Sequence, residues 1–321
     1  MSRGCCIRTL SRYAAKSSYR PITIAGVSSL NNAFLYVVAV LIWGSTWLAI
    51  EFQLGTVEPE VSIVYRYLAA AGILFIWSKI KDLSLQFDLK SHCWFVLMGL
   101  LMFCLNYILA YRAQIYITSA LSAIAFSSML WMNIINSRVF FGVRVGPRIY
   151  TGALLGIVGI IVLFGPQVAE VSLSDSIFYG SLLALIGALM ASFGNMASQA
   201  AQKLKLPVVQ SNAWSMLYGG LLTGVVALVQ GHPFTFDPSP GYVLSLAYLT
   251  VFGSVIAFGA YLTLLGRIGA HRAGYATVMF PVVALILSML FEDLRLDLTM
   301  LLGFALVLTG NLLVLTVGRR N

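Results

Sequence analysis

Charge is what this chain has least of. Only 10% of its 321 residues are Asp, Glu, Lys or Arg, against roughly a quarter in soluble domains. A soluble fold has no means of covering the 60% that are hydrophobic. Acids are scarcer still, eleven in all, and none lies in the middle of an apolar run. Glu51 and Glu292 stand only at the ends of such runs. That argues against a cation antiporter, which needs a deep carboxylate to exchange protons for its cargo. Neither H-E-x-x-H nor G-x-S-x-G occurs, and three histidines make no metal set, so hydrolytic chemistry lacks its residues and neither a cofactor nor a metal is expected. Cysteines number four. Cys93 and Cys104 sit eleven apart on one run, about 16 Å at helical rise and too far to bridge. Cys5 and Cys6 read as free thiols, with acylation as the alternative.

What is present is ten apolar runs, at about 34–52, 61–79, 93–111, 119–140, 149–165, 178–200, 211–230, 241–265, 273–291 and 298–317. Each is close to the roughly 20 residues that cross hydrocarbon as a helix. So little sequence separates them that no soluble domain fits between. The expected fold is an all-α integral membrane protein with ten transmembrane helices.

The basic residues are distributed unevenly. Seventeen of the 20 Lys and Arg fall in the first 32 residues, in the loops after spans 2, 4, 6 and 8, and at the C-terminus; the opposite side has Arg112 and Arg295, with Arg66 just inside span 2. Positive loops stay cytoplasmic during insertion, so both termini are expected in the cytoplasm of a multi-pass protein of the cell (inner) membrane. The net charge of +9 is then a topology signal, and no nucleic-acid partner is expected. Residues 1–32 lack acids and carry five basic residues; they read as a basic cytoplasmic tail, and the same composition also describes a transit peptide.

The second half repeats the first. Pro59 has its counterpart at Pro207, an offset of 148, and Gly152 and Gly159 recur as Gly303 and Gly310, an offset of 151. Five spans per half turn the second copy upside down, giving two inverted five-helix repeats, 33–165 and 178–317, an architecture in which rocking one half against the other opens a midplane site to alternate sides.

Polar side chains are costly in lipid, so those within spans should face the interior. Span 6 aligns Ser192, Asn195, Ser198, Gln199 and Gln202 on one face at 100° per residue. Span 4 aligns Thr118, Ser122, Met129, Asn133 and Asn136; span 8, Thr250, Ser254, Phe258 and Tyr261; span 3, Tyr107, Tyr111 and Gln114; span 1, Trp43, Thr46 and Trp47. Asn106 and Asn195 are the strongest buried amides, and Pro281 removes a backbone bond where span 9 should bend. Arg66 suits a carboxylate or phosphate of the cargo, or else forms an ion pair with Glu51 or Glu60. His92 and His271 read as solvated loop residues.

WGSTWLAIE from Trp43 to Glu51, YRYLAAAG from Tyr65 to Gly72, and the Gly-x6-Gly helices in spans 5 and 10 resemble the EamA-like branch of the drug/metabolite transporter superfamily over about residues 34–317. Two departures stand out. The family's mid-helix Pro survives as Pro281 but is Leu130 in the first repeat, and its Gly-Glu pair reads Phe291-Glu292 and Phe140-Phe141. The resemblance implies a ten-span permease whose first, third and fourth spans of each repeat surround a central cavity. The candidate substrate-binding set is Trp43, Thr46, Arg66, Asn106, Tyr107, Tyr111, Asn133, Asn195, Gln199, Ser254, Tyr261 and Pro281. The function expected is alternating-access transport of small metabolites, amino acids or related polar solutes by resemblance, with the solute and the lipid bilayer as partners. A membrane-embedded enzyme and a non-transporting assembly subunit are the competing classes.

Overall fold

The computed structural model describes residues 31–169, 175–283, 286 and 298–315, with side chains omitted at 120, 163–169, 175, 300 and 315. The N-terminal segment with Cys5 and Cys6, Glu292 and the far end of span 9 lie outside the described residues. The secondary structure described is helical throughout, with no strand among the described residues. The elements are α1 (Asn32–Glu51), α2 (Pro59–Ile80), α3 (Leu89–Gln114), α4 (Ser119–Ser127), α5 (Met129–Phe141), α6 (Pro147–Ala169), α7 (Asp175–Lys203), α8 (Val208–Val229), α9 (Pro240–Ile268), α10 (Ala270–Ala273), α11 (Tyr275–Val278) and α12 (Leu298–Leu315).

Local sequence explains the boundaries. Asn31 caps α1 by accepting the Ala33 amide, and Asp88 caps α3 by accepting the Ser91 amide at 3.0 Å. Pro59 and Pro240 stand at the first turn of α2 and α9, where the missing N–H costs nothing. Gly142 ends α5 at φ 65°, and Gly269 ends α9 at φ 84°, conformations that admit glycine without strain.

Among the described residues six helices, α1, α2, α3, α7, α8 and α9, are long and apolar enough to cross a membrane. Shorter apolar stretches run over Pro147–Val162 and Leu301–Val314. The outward faces carry large apolar side chains, such as Ile76 at 62%, Val139 at 70% and Leu228 at 66% exposure. With backbone bonds closed inside helices and oily side chains outside, the bundle is a membrane protein.

Two helix pairs make the tightest contacts. In α6 against α12, a Cβ at Gly152 would lie 2.7 Å from the Gly310 carbonyl oxygen, and one at Gly159 would lie 2.8 Å from the Gly303 oxygen. The backbones touch because neither side has a side chain to hold them apart. The second pair is α2 with α8, which also packs on α3, where a Cβ at Gly99 would fall 2.7 Å from the Ser215 oxygen. Two kinds of irregularity recur along the chain. Segments of π-helix occupy Gly99–Leu105 within α3 and Leu249–Ile256 within α9. Single-residue breaks fall at Ser128 and Met279, 151 residues apart, the offset of the glycine motif. The break at Ser128 forms without a proline, with its Oγ donating to the Ala125 carbonyl at 2.6 Å.

Candidate functional site

Trp43 lies midway along α1 at the centre of the bundle. Its indole Nε1 donates to the Gly253 carbonyl at 3.0 Å, inside the π segment of α9. Its ring meets Phe258 at 4.8 Å, Tyr261 at 4.9 Å and Phe280 at 5.7 Å between centroids. One side chain therefore ties α1 to two later helical segments. Thr46, one turn on, is buried and donates to the Trp43 carbonyl at 2.8 Å, and its methyl lies 3.0 Å from where a Gly253 Cβ would stand.

Two polar clusters flank this indole. The first is built on Arg66, which is 1% exposed. Its Nε donates to Ser254 Oγ at 2.8 Å and its Nη1 to the Tyr111 hydroxyl at 3.3 Å. The guanidinium carbon lies 4.7 Å from the Tyr107 ring centroid and 5.3 Å from that of Tyr67, within cation–π range. Ser254 in turn donates to the Leu249 carbonyl five residues back, a partner that only the π register offers.

The expected alternative of an ion pair between Arg66 and Glu51 or Glu60 is not what forms. Glu51 is exposed at the end of α1, and Glu60 receives both Nε and Nη2 of Arg112, at 2.9 and 3.1 Å. The last turn of α3 thus claims the one buried acid nearby. Glu58, Glu60 and His232 also converge there, with ligand atoms within 4.8 Å of one another. Arg112 already neutralises Glu60; the histidine comes from the loop after α8, a contact no sequence spacing foretells.

The second cluster joins α5, α7 and α9. Asn195 Nδ2 donates to the Tyr261 hydroxyl at 3.1 Å and to Asn133 Oδ1 at 3.3 Å. Ser192 donates to the same Asn133 oxygen at 2.8 Å and accepts from Asn136 at 2.9 Å. All five side chains are buried. Asn133 Nδ2 has no hydrogen-bond partner among the described residues, so this network retains an unused donor.

The other candidates stand apart from both clusters. Asn106 donates to the Met102 carbonyl of its own helix at 3.2 Å, leaving its buried oxygen without a described partner. Gln199 accepts the Ala270 amide at 3.0 Å, capping the chain where it leaves α9. Pro281 is buried, two residues after the break at Met279. Two histidines differ from expectation. His92 is half-buried, bonded to the Tyr218 hydroxyl at 2.9 Å and 4.7 Å from the Trp214 ring. His271 is also half-buried, and desolvation, with the Arg272 charge adding, lowers its imidazole to about 4. Cys93 and Cys104 are free.

Tyr67, Ser192 and Asn136 belong with the site but stand outside the candidate substrate-binding set. Ser192 and Asn136 lie on the polar stripes already visible. Tyr67 adjoins Arg66 and points about 100° away around the helix; only the length of the arginine brings the two together.

The chain matches known proteins along most of its length. A solved crystal structure of a protein superposes with a TM-score of 0.74, covering 90% of this chain and 98% of that one at 19% identity, a likeness of fold. An uncharacterized inner membrane transporter of Escherichia coli (strain K12), YedA, is 27% identical over 250 residues, 77% of this chain and 78% of its own length. An uncharacterized transporter of Bacillus subtilis (strain 168), YoaV, is 25% identical over 291 residues, 87% of this chain and 95% of its own. A protein of Escherichia coli (strain K12) named as a probable amino-acid metabolite efflux pump is 24% identical over 300 residues, 88% of this chain and 94% of its own. The EamA-like transporter family matches twice, at 30–165 and 178–316, and with both helical halves so accounted for, the chain belongs to that family.

Proposed function

We propose that this protein is a secondary transporter of small metabolites that works by alternating access, with ten spans arranged as two inverted repeats and both termini cytoplasmic. The observation that carries the reading is that both polar clusters are assembled across the two matched halves. Arg66 meets Ser254, Trp43 meets Gly253, and Asn133 meets Asn195 and Tyr261. A site shared by two halves is remade each time they rock against each other.

The inverted relation is supported by the glycine contacts. Gly152 corresponds to Gly303 and Gly159 to Gly310 by sequence, yet Gly152 touches Gly310 and Gly159 touches Gly303. Such an exchange of equivalent positions is what a two-fold axis between antiparallel helices imposes. Recurrence of the π segments and of the breaks at Ser128 and Met279 favours the same assignment, with repeats over 33–165 and 178–317. The charge asymmetry of the loops supports cytoplasmic termini. The family and the names of its members favour transport over catalysis. The relative named for amino-acid metabolite efflux supports amino acids or related polar solutes as cargo. With no acid inside the central clusters, flux follows the solute gradient, or exchanges one solute for another, more than the proton gradient.

Counterflow in proteoliposomes is the test. Preloading with unlabelled amino acids should accelerate entry of labelled ones, saturably. Folded protein that moves no metabolite in such a panel would leave the assembly-subunit class standing. In sealed cells, cysteines placed at Glu58 or His232 should react with an impermeant reagent; reaction of Lys203→Cys from outside would overturn the inverted topology.

A further inference from the structure

An arginine remains charged at any pH a cell reaches. Arg66 is buried to 1% exposure, and no carboxylate among the described residues lies within 4 Å of it. Its partners are neutral: the Ser254 and Tyr111 hydroxyls and the faces of Tyr107 and Tyr67. Nη2 donates to nothing among the described residues. Donors exceed acceptors around it. Among the described residues the Tyr67 hydroxyl is buried without a geometrically formed hydrogen bond, and the Tyr111 hydroxyl accepts from Arg66 while its own proton has no described acceptor. A glycine faces the Nη2 edge, where a Cβ at Gly253 would come within 3.0 Å.

A buried cation among surplus donors is an incomplete site, and the missing component is negative. Resting on the transport reading above, we propose that Arg66, with the Tyr111 hydroxyl, binds an anionic group of the cargo, a carboxylate or a phosphate. Guanidinium nitrogens supply charge-assisted hydrogen bonds to the anion, the phenol adds one more, and the tyrosine faces keep the charge tolerable while the site is empty. Arg112 does not compete for this role, because it is held by Glu60. Amino acids fit the chemistry through their carboxylate, and phosphorylated solutes fit it equally; amines and neutral sugars do not.

The purified full-length protein in lipid nanodiscs decides the matter by equilibrium binding. The probes are a dicarboxylate (succinate), its neutral amide (succinamide), inorganic phosphate, and an amino acid beside its carboxamide. At least one acid should bind, its amide should bind at least tenfold more weakly, and the carboxylate and phosphate arms show which anion is preferred. Arg66→Gln should weaken the acid by about tenfold or more and leave the amide unchanged, as expected for losing a charge-assisted hydrogen bond. Tyr111→Phe keeps the charge and should weaken the same acid about three- to tenfold; it carries the test if Arg66→Gln does not fold. Failure of every acid to bind, or acid binding untouched by these replacements, overturns the proposal. Counterflow separates it from the transport reading. Unaltered flux of an acidic solute in Arg66→Gln sinks the anion site and keeps the transporter, whereas Arg66-dependent binding with no flux does the reverse.

Discussion

The contact between α6 and α12 makes a quantitative prediction about which glycines act together. A Cβ at Gly310 would stand 2.5 Å from the Gly152 carbonyl oxygen and 2.9 Å from the Gly156 nitrogen, whereas ordinary contact begins near 3.4 Å. Both obstacles are backbone, so no rotamer change relieves them, and the helices must part locally by nearly 1 Å. Overpacking of this kind costs about 1–3 kcal/mol, or several degrees of Tm at roughly 2–4 °C per kcal/mol. Gly310→Ala and Gly152→Ala should each lower the thermal midpoint of the purified protein by that amount. Once one methyl has opened the gap the second meets less resistance, so the double variant should lose less than the sum, with a coupling above about 0.5 kcal/mol. Gly152 and Gly303 are opposed to different partners some two turns apart, about 10 Å along the axis, and their effects should add. Coupling of Gly152 with Gly303 in place of Gly310, or an unchanged midpoint in Gly152→Ala, would refute the crossed pairing and with it the best support for a two-fold relation.

Three further outcomes are expected. Asn195→Leu removes donors to Tyr261 and Asn133 and should cut counterflow at least severalfold at unchanged abundance, while Asn106→Leu, whose amide donates only to its own helix, should cost less; equal effects in initial-rate assays would count against the second cluster. Arg112→Gln strands the buried Glu60 carboxylate, so the thermal midpoint should fall further than in the Glu60→Gln/Arg112→Gln double variant, and the opposite order would deny the pair its role. The unfolded chain protonates His271 near the usual 6.5, while the folded protein holds off until about 4. Stability should therefore be level above pH 7 and fall as pH drops from about 6.5 towards 4, and His271→Gln should flatten that decline in thermal scans from pH 7.5 to 5.

Membrane residence and the helical fold were legible because they follow from composition and run length, which act residue by residue. The polar stripes of spans 4, 6 and 8 were equally legible, since helical periodicity alone places Asn133, Asn195 and Tyr261 on inward faces. Partner choice was not legible. Glu60 sits six residues from Arg66 on one helix and fifty-two from Arg112, so proximity along the chain suggested the wrong ion pair. The π segments were not legible either. GLLMFCL and LTVFGSVI each contain one glycine and no proline, and a lone glycine in an apolar run does not mark a π register. Leu130, which the family pattern would have as proline, adjoins a break that formed anyway at Ser128, because that hydroxyl bonds back to Ala125. The repeat motif was visible as spacing, but the crossed pairing of its glycines is a property of three dimensions.

The reach between Arg66 and Ser254 also has a consequence in time. The two are 188 residues apart, and at about 5–20 residues per second of synthesis roughly 10–40 s pass before the serine exists. Tyr111 follows Arg66 by 45 residues, about 2–9 s on the same scale, and Tyr67 and Tyr107 come with or before it. During biogenesis the cation is therefore sheltered first by aromatic rings from its own half, and only much later by the hydroxyl of the other. A variant that weakens those rings should leave the finished transporter less affected than its yield, because the interval of greatest exposure comes before the second half has been made.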